Sequence, residues 1–352
     1  MLLELNRIII FSLFAFFMAL GAYPFFIALL RDFKMGKSIR EDSVTGSKAE
    51  IFQKLHSHKA WTPTMGGGLF LIIMAIMMGV AFVLQYFDII NNSLVTRQET
   101  YILLFAFFGM GAIGIVDDRL NIKGFWRAKG MGAKVKLISM FAFAGFVSYR
   151  FFVRLGISTI NFWPIAGVID IGRFYPVLTF FMTLAIVNAI NITDWLDWLA
   201  GGLMIIVLGV FAVMTFIYNR YIATTLIGII LAILMAFLWF NIAPAQIFMG
   251  DSGALGLGGL LATLVYLLNI KVWIVIPFMV LFLIFWAELS SSFLQILRKK
   301  VFHRKLFPIA PLHHLFEYKG NSETNIVMRM RLIQWILAAL TLILLLYQIN
   351  IH

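Results

Sequence analysis

Ten stretches of this chain are apolar over lengths suited to crossing a lipid bilayer, and this constrains the fold more than any motif does. A helix needs roughly 20 residues to span the hydrocarbon core. The stretches lie near 8–30, 66–87, 101–116, 134–153, 174–192, 199–217, 221–240, 252–270, 272–292 and 331–349. The one near 101 reaches spanning length only by running past Gly114. The expected fold is all-α: one integral membrane domain over residues 1–352, with about ten transmembrane helices. An apolar share of 62%, a charged share of 12% and a mean hydropathy of +0.96 exclude an ordinary soluble domain. The first apolar run follows a single base, Arg7, and has no small-residue cleavage site, so it reads as a retained helix. The chain has no cysteine, which excludes disulfides and cysteine-held zinc.

The net charge of +12 raises the question of nucleic acid, and the placement of the bases answers it. Residues 31–65, 117–136 and 293–331 carry 7, 6 and 8 Lys and Arg, or 21 of the chain's 28. If ten helices alternate in direction, all three segments fall on one side of the membrane. The positive-inside rule makes that side cytoplasmic and sets both termini outside. The basic excess therefore reads as topology and contact with anionic lipid, with no nucleic-acid partner.

The acidic residues then become informative. Asp117 and Asp118 close the third stretch, Asp194 and Asp197 lie between the fifth and sixth, and Asp251 lies between the seventh and eighth. The helix count puts all five on the cytoplasmic face. Carboxylates at several helix mouths beside Lys/Arg-rich loops are what a magnesium and phosphate site requires: hard oxygens for the metal, cations for the phosphates.

Each motif also has a plainer reading. "GIVDDRLNIKG" (114–124) could be a solvated helix end, although adjacent carboxylates repel and one of them suits a metal ligand or a base. "IFMGDSGALGLGG" (247–259) could be a tight turn whose small residues pack helices, yet packing alone explains Asp251 poorly. In "PIAPLHHLFEYKG" (308–320), His313 and His314 suit hydrogen bonding to phosphate or base better than joint metal binding. In "HKAWTPTMGGG" (58–68), Lys59 beside Thr64 reads as a phosphate clamp, and Gly66 to Gly68 could be no more than a close helix crossing. Glu288 falls inside the ninth apolar stretch, where an ionisable residue suggests function; a neutral, hydrogen-bonded structural acid is the first reading.

Taken together, "TPTMGG", "VDDRLNIKG", "NAINITD", "FMGDSGALGLGG" and "PLHHLFEYKG" resemble, in order and across nearly the whole chain, the bacterial phospho-N-acetylmuramoyl-pentapeptide transferases. The resemblance implies a ten-helix, magnesium-dependent enzyme of peptidoglycan synthesis in the bacterial inner membrane, with its active site on the cytoplasmic face. Such an enzyme moves phospho-MurNAc-pentapeptide from UDP onto undecaprenyl phosphate, giving lipid I and UMP. By that resemblance Asp117 or Asp118 prepares the lipid phosphate and Asp251 binds Mg2+, with Asp117 and Asp118 as its other candidate ligands. Asn188, Asn191, Asp194 and Asp197 line the nucleotide pocket with His313 and His314 beside it, and Lys59, next to Thr64, holds phosphate. A homodimer is left open.

The pattern departs from the family at four positions. Leu315 stands where the histidine box has a third histidine, and Trp61, Trp195 and Trp198 stand where the family has glycine. Glycine allows conformations and approaches that an indole does not. Either the enzyme is impaired or altered, or these are glycines encoded by UGA, which some bacterial lineages read as glycine. UGA differs from the glycine codon GGA by one base. Competing readings are a polyprenyl-phosphate N-acetylhexosamine-1-phosphate transferase, a catalytically impaired homologue, and a secondary transporter. The last is disfavoured by acids clustered at one membrane face and by the lack of repeated broken half-helices.

Overall fold

The structure, a computed structural model, describes residues 1–36, 61–90, 94, 98–123, 133–162, 167–269 and 274–351. Among the described residues the regular elements are twelve α-helices, one small hairpin and a short 3-10 helix at Gly172–Phe174. In order the α-helices and strands are α1 (Leu2–Asp32), α2 (Gly66–Tyr86), α3 (Gln98–Lys123), α4 (Ala133–Leu155), β1 (Thr159–Asn161), β2 (Val168–Asp170) and α5 (Tyr175–Thr193). There follow α6 (Leu199–Ile217), α7 (Tyr221–Asn241), α8 (Gly250–Asn269), α9 (Val275–Leu281), α10 (Leu283–Phe302), α11 (Leu312–Tyr318) and α12 (Glu323–Ile351). Nine of these helices are long and apolar enough to cross a membrane, and ten spans result if α9 and α10 count as one. This is a polytopic all-α membrane protein.

Two boundaries differ from the sequence reading in ways that matter. Helix α3 continues to Lys123, so Asp117 and Asp118 sit inside it rather than at its end. The ninth stretch is broken at Phe282, where α9 and α10 meet at 72°. Free carbonyls at such a break are costly in lipid unless a donor reaches them. Helix α12 supplies one: Gln334 Nε2 donates to Leu281 O at 2.7 Å. Thr341 Oγ1 of the same helix donates to Pro277 O at 3.3 Å.

Helix α8 is the centre of the bundle, with 89% of its apolar window buried. Its small residues allow this. A Cβ on Gly258 would stand 2.7 Å from Val187 Cα of α5, and one on Gly259 would stand 2.7 Å from Ala106 O of α3. On the neighbouring helices, a Cβ on Gly67 would overlap the backbone of Gly253, and one on Gly114 would overlap that of Asp251. Close backbone approach through small residues is how membrane helices gain packing without a hydrophobic drive between them. The consequence is that α2 lays its backbone against the first turn of α8, while α3 and α5 deliver side chains to it. Between α4 and α5, β1 and β2 pair antiparallel with Ile160 opposite Ile169.

Candidate active site

The first turn of α8 is held from two sides. Phe248 N donates to Pro63 O, while Gly66 N and Gly67 N donate to Phe248 O and Met249 O, each at 2.8 Å. This strap puts Thr64 beside Gly250: a Cβ there would fall 2.8 Å from Thr64 Oγ1 and 2.7 Å from Asp118 Oδ2. Gly250 also has φ +74°, so crowding and backbone conformation both require glycine. From α3, Asp118 Oδ1 accepts the Asp251 backbone N–H at 3.1 Å and Asp118 Oδ2 accepts that of Ser252 at 3.0 Å. A helix start leaves such N–H groups unpaired, and here a carboxylate from another helix satisfies them.

Asp251 is thereby turned to the other side. Its Oδ1 accepts from Asn191 Nδ2 at 2.6 Å and its Oδ2 from Lys136 Nζ at 2.6 Å. The same Nζ lies 2.9 Å from Asp117 Oδ2. Four helices, α3, α4, α5 and α8, thus bring Asp117, Lys136, Asn191 and Asp251 into one hydrogen-bonded cluster, with the Lys136 ammonium between the two carboxylates and Asn191 on the far oxygen of Asp251. Lys136 was not singled out in the sequence. The available signal was a base within the span Lys134–Leu155, where a charged side chain is expensive and usually faces a partner.

The loop after α5 links this cluster to a second one. Asp194 ends α5 as its C-cap, and the edge of the Trp195 ring meets His314, with ring centroids 6.2 Å apart. Asp197 is buried; its Oδ2 accepts from Ala245 N at 3.0 Å and its backbone N–H donates to Glu323 Oε1 at 2.5 Å. On α11 both histidines are held at Nδ1 by carboxylates. His313 lies 3.0 Å from Glu288 Oε2, and His314 lies 2.6 Å from Glu317 Oε2.

The remaining expected site residues fare differently. Asn188 turns back on its own helix, donating to Leu184 O at 2.8 Å, so it does not join the Asp251 cluster through that group. Lys59 lies outside the described residues. Trp61 and Trp198 both have left-handed backbones, with φ of +70° and +53°. Trp198 begins α6, its backbone N–H donates to Asn241 Oδ1 at 2.9 Å, and its ring lies 4.5 Å from the Arg331 guanidinium carbon.

Comparison with known proteins gives the chain its class. The family described as Glycosyl transferase family 4 matches residues 100–269, a segment that runs from α3 through α8 and includes Asp117, Asp118, Lys136, Asn191 and Asp251. The chain is therefore similar, over this segment, to glycosyl transferases. Three curated relatives extend the match over nearly the full length, and all carry the name phospho-N-acetylmuramoyl-pentapeptide-transferase. That of a Thermoanaerobacter species is 34% identical over 98% of this chain and 100% of its own length. That of Clostridium kluyveri is 35% identical over 90% and 92%, and that of Caldanaerobacter subterraneus 33% identical over 92% and 94%. The chain belongs to the phospho-N-acetylmuramoyl-pentapeptide-transferase family.

Proposed function

We propose that this protein transfers phospho-MurNAc-pentapeptide from UDP-MurNAc-pentapeptide to undecaprenyl phosphate. In the reaction, a phosphate oxygen of the lipid forms a bond to the sugar-linked phosphorus of the donor. The bond from that phosphorus to the bridging oxygen breaks, UMP leaves with that oxygen, and lipid I is formed. The observation that carries the reading is the convergence of Asp117 and Asp251 on Lys136 Nζ, with Asn191 holding the other oxygen of Asp251. Phosphoryl transfer asks a protein mainly to position two anions and to balance charge.

In this reading Asp117 takes the proton of the lipid phosphate, because both oxygens of Asp118 are already engaged by the start of α8. Lys136 offsets negative charge between the two substrates, and Asn191 fixes the rotamer of Asp251. The loop carrying Asp194 and Asp197, with His314 against it, forms the nucleotide side of the pocket. By the family resemblance Lys59 and Thr64 would bind the donor phosphates.

The donor set suits Mg2+, which takes hard oxygens and is usually held by one or two carboxylates together with substrate phosphates and water. Two carboxylates sharing one cation leave negative charge to spare, and among the described residues no three His, Asp or Glu side chains form a closed metal cage. Asp251 would hold the ion, with Asp117 as its neighbour. When bound, Mg2+ would neutralise charge that develops on the transferring phosphate. Orientation follows from the bases: the site faces the cytoplasm, both termini face outward, and the protein resides in the bacterial inner membrane.

The test is UMP release from UDP-MurNAc-pentapeptide by membranes holding the chain with Trp61→Gly, Trp195→Gly and Trp198→Gly. Release is expected only with both undecaprenyl phosphate and Mg2+ present. Release indifferent to the lipid phosphate would sink the function, and release indifferent to Mg2+ would sink the metal.

A further inference from the structure

Glu288 sits fully buried on α10, one and a half turns beyond the break at Phe282, in a stretch otherwise rich in apolar residues. A carboxylate there is costly unless it is matched by a partner. Its partner is a residue of the histidine box. Glu288 Oε2 lies 3.0 Å from His313 Nδ1 and also accepts the His313 backbone N–H at 3.4 Å, and His313 is itself fully buried. One oxygen thus holds both the ring and the main chain of the same residue, fixing where the ring points as well as which nitrogen carries the inner proton. The other ends of the pair, Glu288 Oε1 and His313 Nε2, have no hydrogen-bond partner among the described residues.

A buried polar atom without a partner is uncommon and is expected to meet a group the protein itself does not supply. A neutral imidazole that donates its Nδ1–H to a carboxylate has its one acceptor at Nε2, and in the protonated ring Nε2 becomes a donor. The other titratable groups near the ring are on its own helix: His314, whose ring centroid is 4.2 Å away, is held by Glu317. From α12, Glu323 is committed to the backbone of Asp197. Nothing on these elements competes with Glu288 for His313 Nδ1.

We infer that Glu288 is a positioning residue for the transfer reaction: it fixes His313 through Nδ1 so that Nε2 is the nitrogen offered to the substrates. This rests on the proposed function, and it assigns to the buried acid a task in that reaction beyond filling space. A structural acid would serve equally well bonded to any donor. Here its two bonds go to one histidine of the site.

The experiment uses the full chain in lipid nanodiscs and has two readouts. The first, independent of activity, is the 15N spectrum of the chain labelled in histidine, with His313 assigned from His313→Gln. His313 is expected as a single species protonated at Nδ1, and Glu288→Gln, which offers both a donor and an acceptor, should abolish that uniqueness. A His313 ring bare at Nδ1 in the unaltered chain would overturn the inference whatever the enzyme does. The second readout is transfer in the glycine form at 61, 195 and 198. There Glu288→Gln should lower kcat by roughly 10- to 100-fold with KM nearly unchanged, the range typical of losing a residue that orients a working group. In a His313→Gln background, Glu288→Gln should cost nothing further, since the two act as one unit. A full extra loss in that background would assign Glu288 a separate role and overturn the inference. Failure of the proposed function looks different, as absence of lipid-dependent UMP release in every variant.

Discussion

Asp118 spends both of its carboxylate oxygens on the backbone N–H groups of Asp251 and Ser252, at 3.1 and 3.0 Å, while its sequence neighbour Asp117 faces Lys136. Successive residues on a helix point about 100° apart, so two adjacent aspartates reach different helices. Their mutants should separate. Asp118→Ala strips the start of α8 of its cap and is expected to lower the thermal midpoint, at a cost of about 1–2 kcal/mol as for other lost helix caps. Asp117→Asn should leave the midpoint close to that of the parent and lower kcat by 100-fold or more, with donor affinity nearly kept. Melting curves and equilibrium nucleotide binding measure the two effects. Equal loss of stability in both variants would contradict the division of labour.

Lys136 should behave as the charge hub. Removing it leaves Asp117 and Asp251 facing each other without the cation they share at 2.9 and 2.6 Å. Lys136→Met should therefore cost at least about 100-fold in kcat/KM, or roughly 2.7 kcal/mol of transition-state stabilisation. Lys136→Arg should restore little, because a planar fork does not replace a point charge between two close oxygens. Steady-state kinetics at saturating Mg2+ decide this, and near-normal turnover in Lys136→Met would remove Lys136 from the site.

Asp251→Asn keeps the shape of the side chain and its bond from Asn191 but removes the charge. Turnover should collapse, and the Mg2+ concentration needed for half-maximal rate should rise or lose meaning. A variant that kept its Mg2+ dependence and most of its rate would show that the ion is held elsewhere.

The left-handed backbones of Trp61 and Trp198 bear on what these positions are built for. An indole at φ +70° or +53° stores about 1–2 kcal/mol of strain per residue, whereas glycine takes the same angles freely. Trp61 is 72% exposed, so little packing offsets that strain. Trp61→Gly should raise the thermal midpoint, and the triple glycine form should be the most active. Trp198→Gly forfeits the contact with Arg331, so its gain should appear in activity more than in stability. The codons at 61, 195 and 198 should read UGA, and mass spectrometry of the protein from its native cells should find glycine at each. Three UGG codons would exclude recoding and leave an altered enzyme.

Topology can be tested on a clean background, since the chain has no cysteine. Cysteine placed at Val168, exposed on β2, should react with an impermeant label from outside intact cells, and cysteine at Asn321 should not. Outside labelling at 321 would invert the proposed orientation.

The sequence by itself determined the spans, the motifs and the family, because these are local properties. Apolar run length follows from bilayer thickness, and a motif such as "FMGDSGALGLGG" is read within one turn and one helix. Its glycines also announced close helix crossings, and Gly258 and Gly259 make them. What only the tertiary structure decided are relations between residues far apart in the chain. Lys136 meets Asp251 across 115 positions, and Glu288 meets His313 across 25. The break at Phe282 itself is stable because Gln334 reaches Leu281 O from another helix. No apolar run records which carbonyl a distant amide will satisfy. Asp117 and Asp118 are the same residue type side by side, so nothing local distinguishes them. Their roles part because the backbones of α3 and α8 come close enough at Gly114 for one carboxylate to cap α8 while the other is left facing a lysine.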